Sequence, residues 1–177
     1  MGKLLNEISP KLNSFIEEQK VFFVGTARSE GSVNVSPKGM DTFRLINSNK
    51  IVWLNLTGSG NETAAHLQEN NRMTILFCSF EEKPLILRLY GNASIYHKSD
   101  AAYKEHITLF PKHIGARQII IMKVDQVQTS CGFAVPFMEF KEERSQLTRW
   151  ADKKGQGGIE AYWKDKNSKS IDGFEIS

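Results

Sequence analysis

The stretch Asn55-Leu-Thr-Gly-Ser-Gly-Asn-Glu-Thr-Ala-Ala-His-Leu67 runs from a strand end through a glycine-rich turn into a helix start. Val52, Trp53, Leu54 and Leu56 favour β-structure, Gly58 and Gly60 interrupt it, and Ala64, Ala65, Leu67 and Gln68 are good helix formers. Ser59 and Glu62 fit the S-x-x-E capping box, which would set the first helical turn. Two readings are open at this point. The turn is an ordinary strand-to-helix connection closed by its own Ser59, or it is a cradle for a phosphate. The second reading follows because the first N–H groups of a helix lack internal partners and glycine lets a ligand come close.

Working outward from that turn, β-patterns dominate on both sides. Lys20 to Arg28, with Val21, Phe22, Phe23, Val24 and Ala27, reads as a strand buried on both faces. Glu30-Gly31 turns it into Ser32 to Ser36, where Val33 and Val35 alternate with polar residues. Pro37 cannot donate to a ladder, so this second strand should end or lie at an edge, with Lys38 and Gly39 exposed on its rim. Residues 4 to 19 hold a short helix, with Ser9 as cap, Pro10 at the first helical position and Leu12, Phe15 and Ile16 on one face. Thr42 to Ile46 and Lys50 to Leu56 pair around Asn47-Ser-Asn49. Arg72 to Phe80 resumes a strand, and Leu85 to Tyr96 is a long one that Gly91 should bend. Ser99 to Phe110 is a helix closed by Pro111, and Gln118 to Thr129 is the last strong strand. Six or seven strands with few long helices between them predict a closed antiparallel sheet rather than a βαβ arrangement.

The tail changes character. Cys131-Gly-Phe-Ala-Val-Pro-Phe-Met138 is an apolar loop, Lys141 to Lys154 is a helix ended by Gly155-Gln-Gly-Gly158, and Ile159 to Lys166 adds a turn or two around Tyr162 and Trp163. So many aromatics outside the sheet either cover an open end of it or meet a second subunit.

Composition bounds the function. With 177 residues, the chain suits one domain, and the formal charge of +3 is spread without basic runs, which argues against a nucleic-acid footprint. The N-terminus lacks a signal-peptide apolar region and no apolar run reaches bilayer length, so a cytoplasmic protein without membrane association is expected. Cys78 and Cys131 form no C-x-x-C pair, and the histidines at 66, 97, 106 and 113 are never spaced i, i+4, so no metal is assigned. Cys131 should be a small packing residue, because neither it nor a nearby thiol forms a redox pair.

Phe22-Phe-Val-Gly-Thr-Ala-Arg28, Val33-Asn-Val-Ser-Pro-Lys-Gly39, Val52-Trp-Leu-Asn-Leu-Thr-Gly-Ser-Gly-Asn-Glu-Thr63 and Leu85-Ile-Leu-Arg-Leu-Tyr-Gly91 together resemble the pyridoxamine 5′-phosphate oxidase-related family of flavin-binding split barrels. The similarity spans about residues 8 to 129. It implies a six- to seven-stranded antiparallel split β-barrel with peripheral helices over about residues 20–129 and a helical C-terminal extension over 130–177, all one domain. It also implies a homodimer holding flavin mononucleotide (FMN) in grooves between subunits. By the same resemblance, Ser36, Pro37 and Lys38 lie beside the flavin ring and phosphate, and Asn55, Leu56 and Thr57 lie under the ring system. Ser59, Gly60, Asn61 and Thr63 match the phosphate-side turn, and Arg88 reaches the groove from a neighbouring strand.

The departures from the family pattern are specific. Many relatives carry a cation in the helix after the turn, where this chain has Ala64 and Ala65, so Lys38, Arg88 or a partner residue must meet the phosphate charge. A capping bond from Glu62 would also consume a donor that a phosphate could use. The C-terminal Ser168 to Ser177 contains neither the arginine nor the histidine with which true pyridoxamine phosphate oxidases recognise their substrate, which argues against vitamin B6 oxidation. The expectation is an FMN-dependent oxidoreductase acting on an unidentified small molecule, with a non-catalytic FMN-binding or sensing protein as the alternative; no catalytic residue is assigned.

Overall fold

The computed structural model describes residues 2–176. Eight strands form one antiparallel sheet whose hydrogen-bonded order is β3-β2-β6-β7-β8-β5-β4, with β1 added against β8. In chain order these are β1 (Lys3–Leu5), β2 (Phe22–Thr26), β3 (Asn34–Lys38), β4 (Phe43–Asn47), β5 (Lys50–Leu56), β6 (Arg72–Cys78), β7 (Ile86–Tyr96) and β8 (Ala116–Ser130). Four helices decorate the sheet: α1 (Pro10–Glu18), α2 (Glu62–Leu67), α3 (Ala101–His106) and α4 (Gln146–Lys166).

The sheet curls around its core without closing, so the closed ladder expected from the strand count is corrected to an open one. Its two ends, β3 and β4, are consecutive in the chain and yet unpaired. Pro37, in register with Phe23 on β2, gives β3 one donor fewer, and the edge position that its presence predicts is where the strand lies. Burial in β2 alternates, with Phe22, Val24 and Thr26 inward, so this strand is not covered on both faces. In β3 the period is as read: Val33 and Val35 point outward, and Asn34, Ser36 and Lys38 take the more sheltered side.

Two features of the sequence set the barrel's shape. The register of β7 against β8 slips between Tyr90 and Gly91, and a Cβ at Gly91 would lie 1.9 Å from the Lys123 carbonyl oxygen. Only glycine allows the strands to approach so closely at this bulge. At the other end, α1 starts as expected, with Ser9 Oγ accepting from the Leu12 N–H at 3.4 Å, and its Leu12 and Ile16 join Ile8 in the core. Residues 4 and 5 belong to β1 and not to that helix.

Inside, Phe22 packs 5.3 Å from Phe43, 5.7 Å from Phe77 and 6.2 Å from Trp53, centroid to centroid. The edge-to-face contacts of Phe22 with Phe43 and Trp53 add to the area term. The cluster is the floor on which the β3 rim rests. The tail helix α4 begins at Gln146, later than residue 141, because residues 141–145 form no turn of helix. It breaks where glycine was expected to end it: Gly155 has φ 65 and ψ 174, outside helical geometry, and a second helical half follows. Among the described residues no helix is long and apolar enough to cross a membrane.

Candidate functional site

A cavity of about 620 Å³ opens where β3, the end of β5, the glycine turn and the C-terminal segment meet. Its wall brings together Ser36 and Lys38 from β3, Asn55 from β5, Ser59, Gly60 and Asn61 from the turn, and Thr63 from α2. Pro37, Leu56, Thr57 and Arg88 are not in the wall. Thr57 is buried and fully engaged: its hydroxyl donates to Gly115 O at 2.9 Å and accepts from Trp163 Nε1–H at 2.8 Å. Arg88 Nη1 donates to Ser130 Oγ at 3.0 Å.

The turn is held differently from the capping box. Asn61 occupies the N-cap position with no side-chain cap bond, and the Glu62 carboxylate accepts instead from the Ile171 N–H at 3.1 and 3.2 Å. Ser59 is therefore not the cap, and Glu62 takes no donor from the turn. The turn's carbonyls are occupied from behind. Arg117 donates to Gly60 O (3.2 Å) and Leu56 O (3.4 Å), while Asn167 Nδ2 donates to Gly58 O (3.2 Å) and Ser59 O (3.4 Å). Arg117 and Asn167 are themselves joined at 2.5 Å. By contrast, residues 58–63 donate no backbone hydrogen bond to another backbone group among the described residues. Acceptors tied and donors free is the pattern of a loop built to receive an anion.

The charges in the wall point the same way. Lys38 Nζ sits 5.2 Å from the centroid of the Trp53 ring, sheltered by the aromatic floor rather than exposed on the rim. Desolvation, with a smaller contribution from the nearby Arg117, lowers its pKa to about 8. Arg117 is only 7 % exposed, and burial lowers its pKa to about 10, a trend that Tyr162 partly offsets. Among the described residues no carboxylate lies within ion-pair distance of either cation. Lys166 and Lys169 also line the cavity, each beside a surface carboxylate: Asp165 at 3.1 Å and Glu175 at 2.9 Å. A half-buried lysine beside a buried arginine, without a counter-charge, is costly unless an anion joins them.

Sequence reasoning missed Arg117, His66 and the C-terminal wall. Arg117 did carry a signal, as a charged residue heading the most apolar strand of the chain. The wall did not, because Asp172 accepts from Ser32 N and Oγ (2.8 and 2.9 Å), and Phe174 stacks 3.8 Å from the Arg28 guanidinium, across contacts with no local pattern. These contacts hold the tail against the β2–β3 connection, and the Ile171–Glu62 bond ties it to α2. Cys78 is buried, and burial pushes its thiol pKa up. Cys131 is exposed, a correction to its expected packing role.

Comparison with known proteins agrees with this architecture. The family described as "Pyridoxamine 5′-phosphate oxidase" matches residues 8–131. The "pyridoxamine 5′-phosphate oxidase family protein ustO" of Aspergillus flavus is 34% identical over 185 residues, covering 94% of this chain and 74% of that protein. Among solved structures, Group A Streptococcus HupZ is similar with a TM-score of 0.53 at 21% identity, covering 68% of this chain and 91% of that one. HutZ of Vibrio cholerae, titled a heme storage protein, gives 0.52 at 16% identity over 71% and 97% of the two chains. The FAD binding protein of Mycobacterium smegmatis gives 0.50 at 11%, over 71% and 97%. At these identities the structures speak for the fold.

Proposed function

The chain belongs to the pyridoxamine 5′-phosphate oxidase family, and from that premise we propose that it is a flavoprotein that binds FMN and uses it to oxidise or reduce a small molecule. The observation that carries this reading is the pair of desolvated, carboxylate-free cations, Lys38 and Arg117, beside a turn whose carbonyls are tied and whose N–H groups are not. A phosphate monoester meets all three features at once. The missing helix cation at Ala64 and Ala65 is thereby made good within this chain by Arg117, without Arg88.

Bound there, the flavin would supply two-electron chemistry while the protein supplies orientation and electrostatics. Lys38 and Arg117 would hold the phosphate, with Ser59 and Asn61 at the turn; Ser36 on β3 and Asn55 on β5 would flank the rest of the molecule. Pro37, Leu56 and Thr57 shape the backbone around the site rather than touching its contents. We assign the physiological unit as a homodimer. Val33 just before edge strand β3 and Val35 on it are 72% and 66% exposed, and Phe133 and Phe137 in the tail loop 83% and 78%, more apolar surface than a solitary chain usually leaves to water. A second copy would cover this surface and complete the flavin groove.

The purified protein tests this. The expected sample is yellow, carries one FMN per chain, migrates as a dimer, bleaches with a reduced nicotinamide and recovers its colour in air. A colourless protein that fails to take up added FMN contradicts the reading. A yellow protein inert to every reductant supports a binding or sensing role, a result in keeping with Glu62, the one carboxylate in the cavity wall among the described residues, being spent on Ile171.

A further inference from the structure

His66 lies in the cavity wall and is 1% exposed. Its Nδ1 is 3.0 Å from Thr26 Oγ1, and its Nε2 is buried with no partner among the described residues. The ring meets a hydrogen-bonded chain at Nδ1 only. Ser36 Oγ donates to Asn34 Oδ1 at 2.7 Å, and Asn34 Nδ2 donates to Thr26 Oγ1 and to Thr63 Oγ1, both at 3.3 Å. Thr26 Oγ1 thus already accepts one bond, and its own hydrogen finds its acceptor in His66 Nδ1. With the Thr26 hydroxyl donating to Nδ1, the ring proton sits on Nε2. The result is an N–H set in the wall of a cationic cavity with nothing to donate to.

A buried donor without an acceptor costs free energy, and a ring locked by three elements, β2, β3 and α2, does not turn away to relieve it. Were His66 there only to fill space, an apolar residue would serve better. We propose that His66 is a ligand-binding residue whose Nε2–H donates to an oxygen of a phosphate monoester held by Lys38 and Arg117. The chain Ser36–Asn34–Thr26 meets the ring at Nδ1 and leaves Nε2 to the ligand. This rests on the reading of the cavity as the FMN phosphate site and adds a neutral third donor to two cations, on the helix where the expected cation is replaced by alanine.

The test is long-range ¹H–¹⁵N NMR of the four histidines, with titrations of inorganic phosphate, FMN and riboflavin. The His66 signals, assigned by loss in His66→Leu, should show the Nε2–H tautomer, shift with phosphate and FMN, and stay put with riboflavin. His66→Gln keeps an N–H at similar reach and should bind FMN within about threefold of the natural protein, whereas His66→Leu should lose about tenfold or more, the worth of one hydrogen bond to a charged group. Riboflavin affinity of His66→Leu should not fall, because riboflavin carries no phosphate to accept the bond. A merely structural histidine would leave FMN affinity unchanged or lower FMN and riboflavin affinity alike. If FMN binds but neither it nor phosphate moves Nε2, the proposal is overturned while the cofactor reading stands. If phosphate moves Nε2 and FMN does not bind, the anion site stands and the flavin reading falls. Should His66→Leu fail to fold, His66→Gln and the titration of the natural protein still decide.

Discussion

Strands β5, β7 and β8 run side by side along nearly their whole lengths and bury Leu87, Leu89, Ile119, Ile120 and Met122 without any exposed surface. The cavity rim is built on other terms. It shelters Lys38 and Arg117 without carboxylates, and two of the three buried side-chain polar atoms that lack partners among the described residues, His66 Nε2 and Arg117 Nε, belong to its wall. The third, Arg28 Nε, lies under the Phe174 ring of the tail. In the sheet each level of structure agrees with the next, whereas at the rim local rules are broken together in one place. Unmet polar demand is thus concentrated at the rim, the place where a binding role is proposed.

The contrast can be broken or sharpened by substitution. In the sheet, Gly91→Ala should cost the most, about 4 kcal/mol or more, because its Cβ would meet the Lys123 carbonyl at 1.9 Å. Urea midpoints would check it, and a loss below about 1 kcal/mol would show that the bulge is slack. At the rim, Lys38→Met should do the opposite, raising stability at pH 7 by about 1–2 kcal/mol while weakening FMN at least about tenfold. The sign follows from the folded pKa of about 8 lying below the ordinary value of 10.5. The unfolded chain holds the proton more tightly, so below pH 8 the buried charge costs stability, and the cost fades as pH rises from about 8 to 10.5. The advantage of Lys38→Met should therefore shrink across that window, and an advantage constant with pH would assign it to packing.

Between the two regions, Trp163→Phe should cost about 1 kcal/mol by removing the bond to Thr57 that ties α4 to the end of β5, measured by thermal unfolding. Cys131→Ser should be the quietest, within about 0.5 kcal/mol in stability, because the residue is exposed and the change small. Stopped-flow flavin reduction should also stay within about twofold, since Cys78, the other thiol, is buried away from exchange. A tenfold slower reduction with intact flavin content would bring the thiol into the chemistry.

What the sequence disclosed was mostly local. Glycine in a long strand foretold the bulge at Gly91, Ser9-Pro10 foretold the start of α1, and Pro37 foretold an edge strand, because each acts through its own backbone. Alternation in Ser32 to Ser36 gave the period but not the face, since Val33 and Val35 look the same inward or outward. A strand as short as Lys3–Leu5 carries too little pattern to be seen. The capping box misled because Glu62 is claimed by an N–H 109 residues away. Asn55, Ser59, Gly60, Asn61 and Thr63 come from one stretch and meet in the cavity wall, whereas Arg117 and the tail reach it only through folding.

The central claim is that this cavity holds a phosphate, and calorimetric titration of the natural protein with FMN and with riboflavin at neutral pH tests it most directly. The account predicts one FMN per chain bound at least about thirtyfold more tightly than riboflavin, the worth of a phosphate against two sheltered cations. Equal affinity for the two, or a preference for riboflavin, would contradict it.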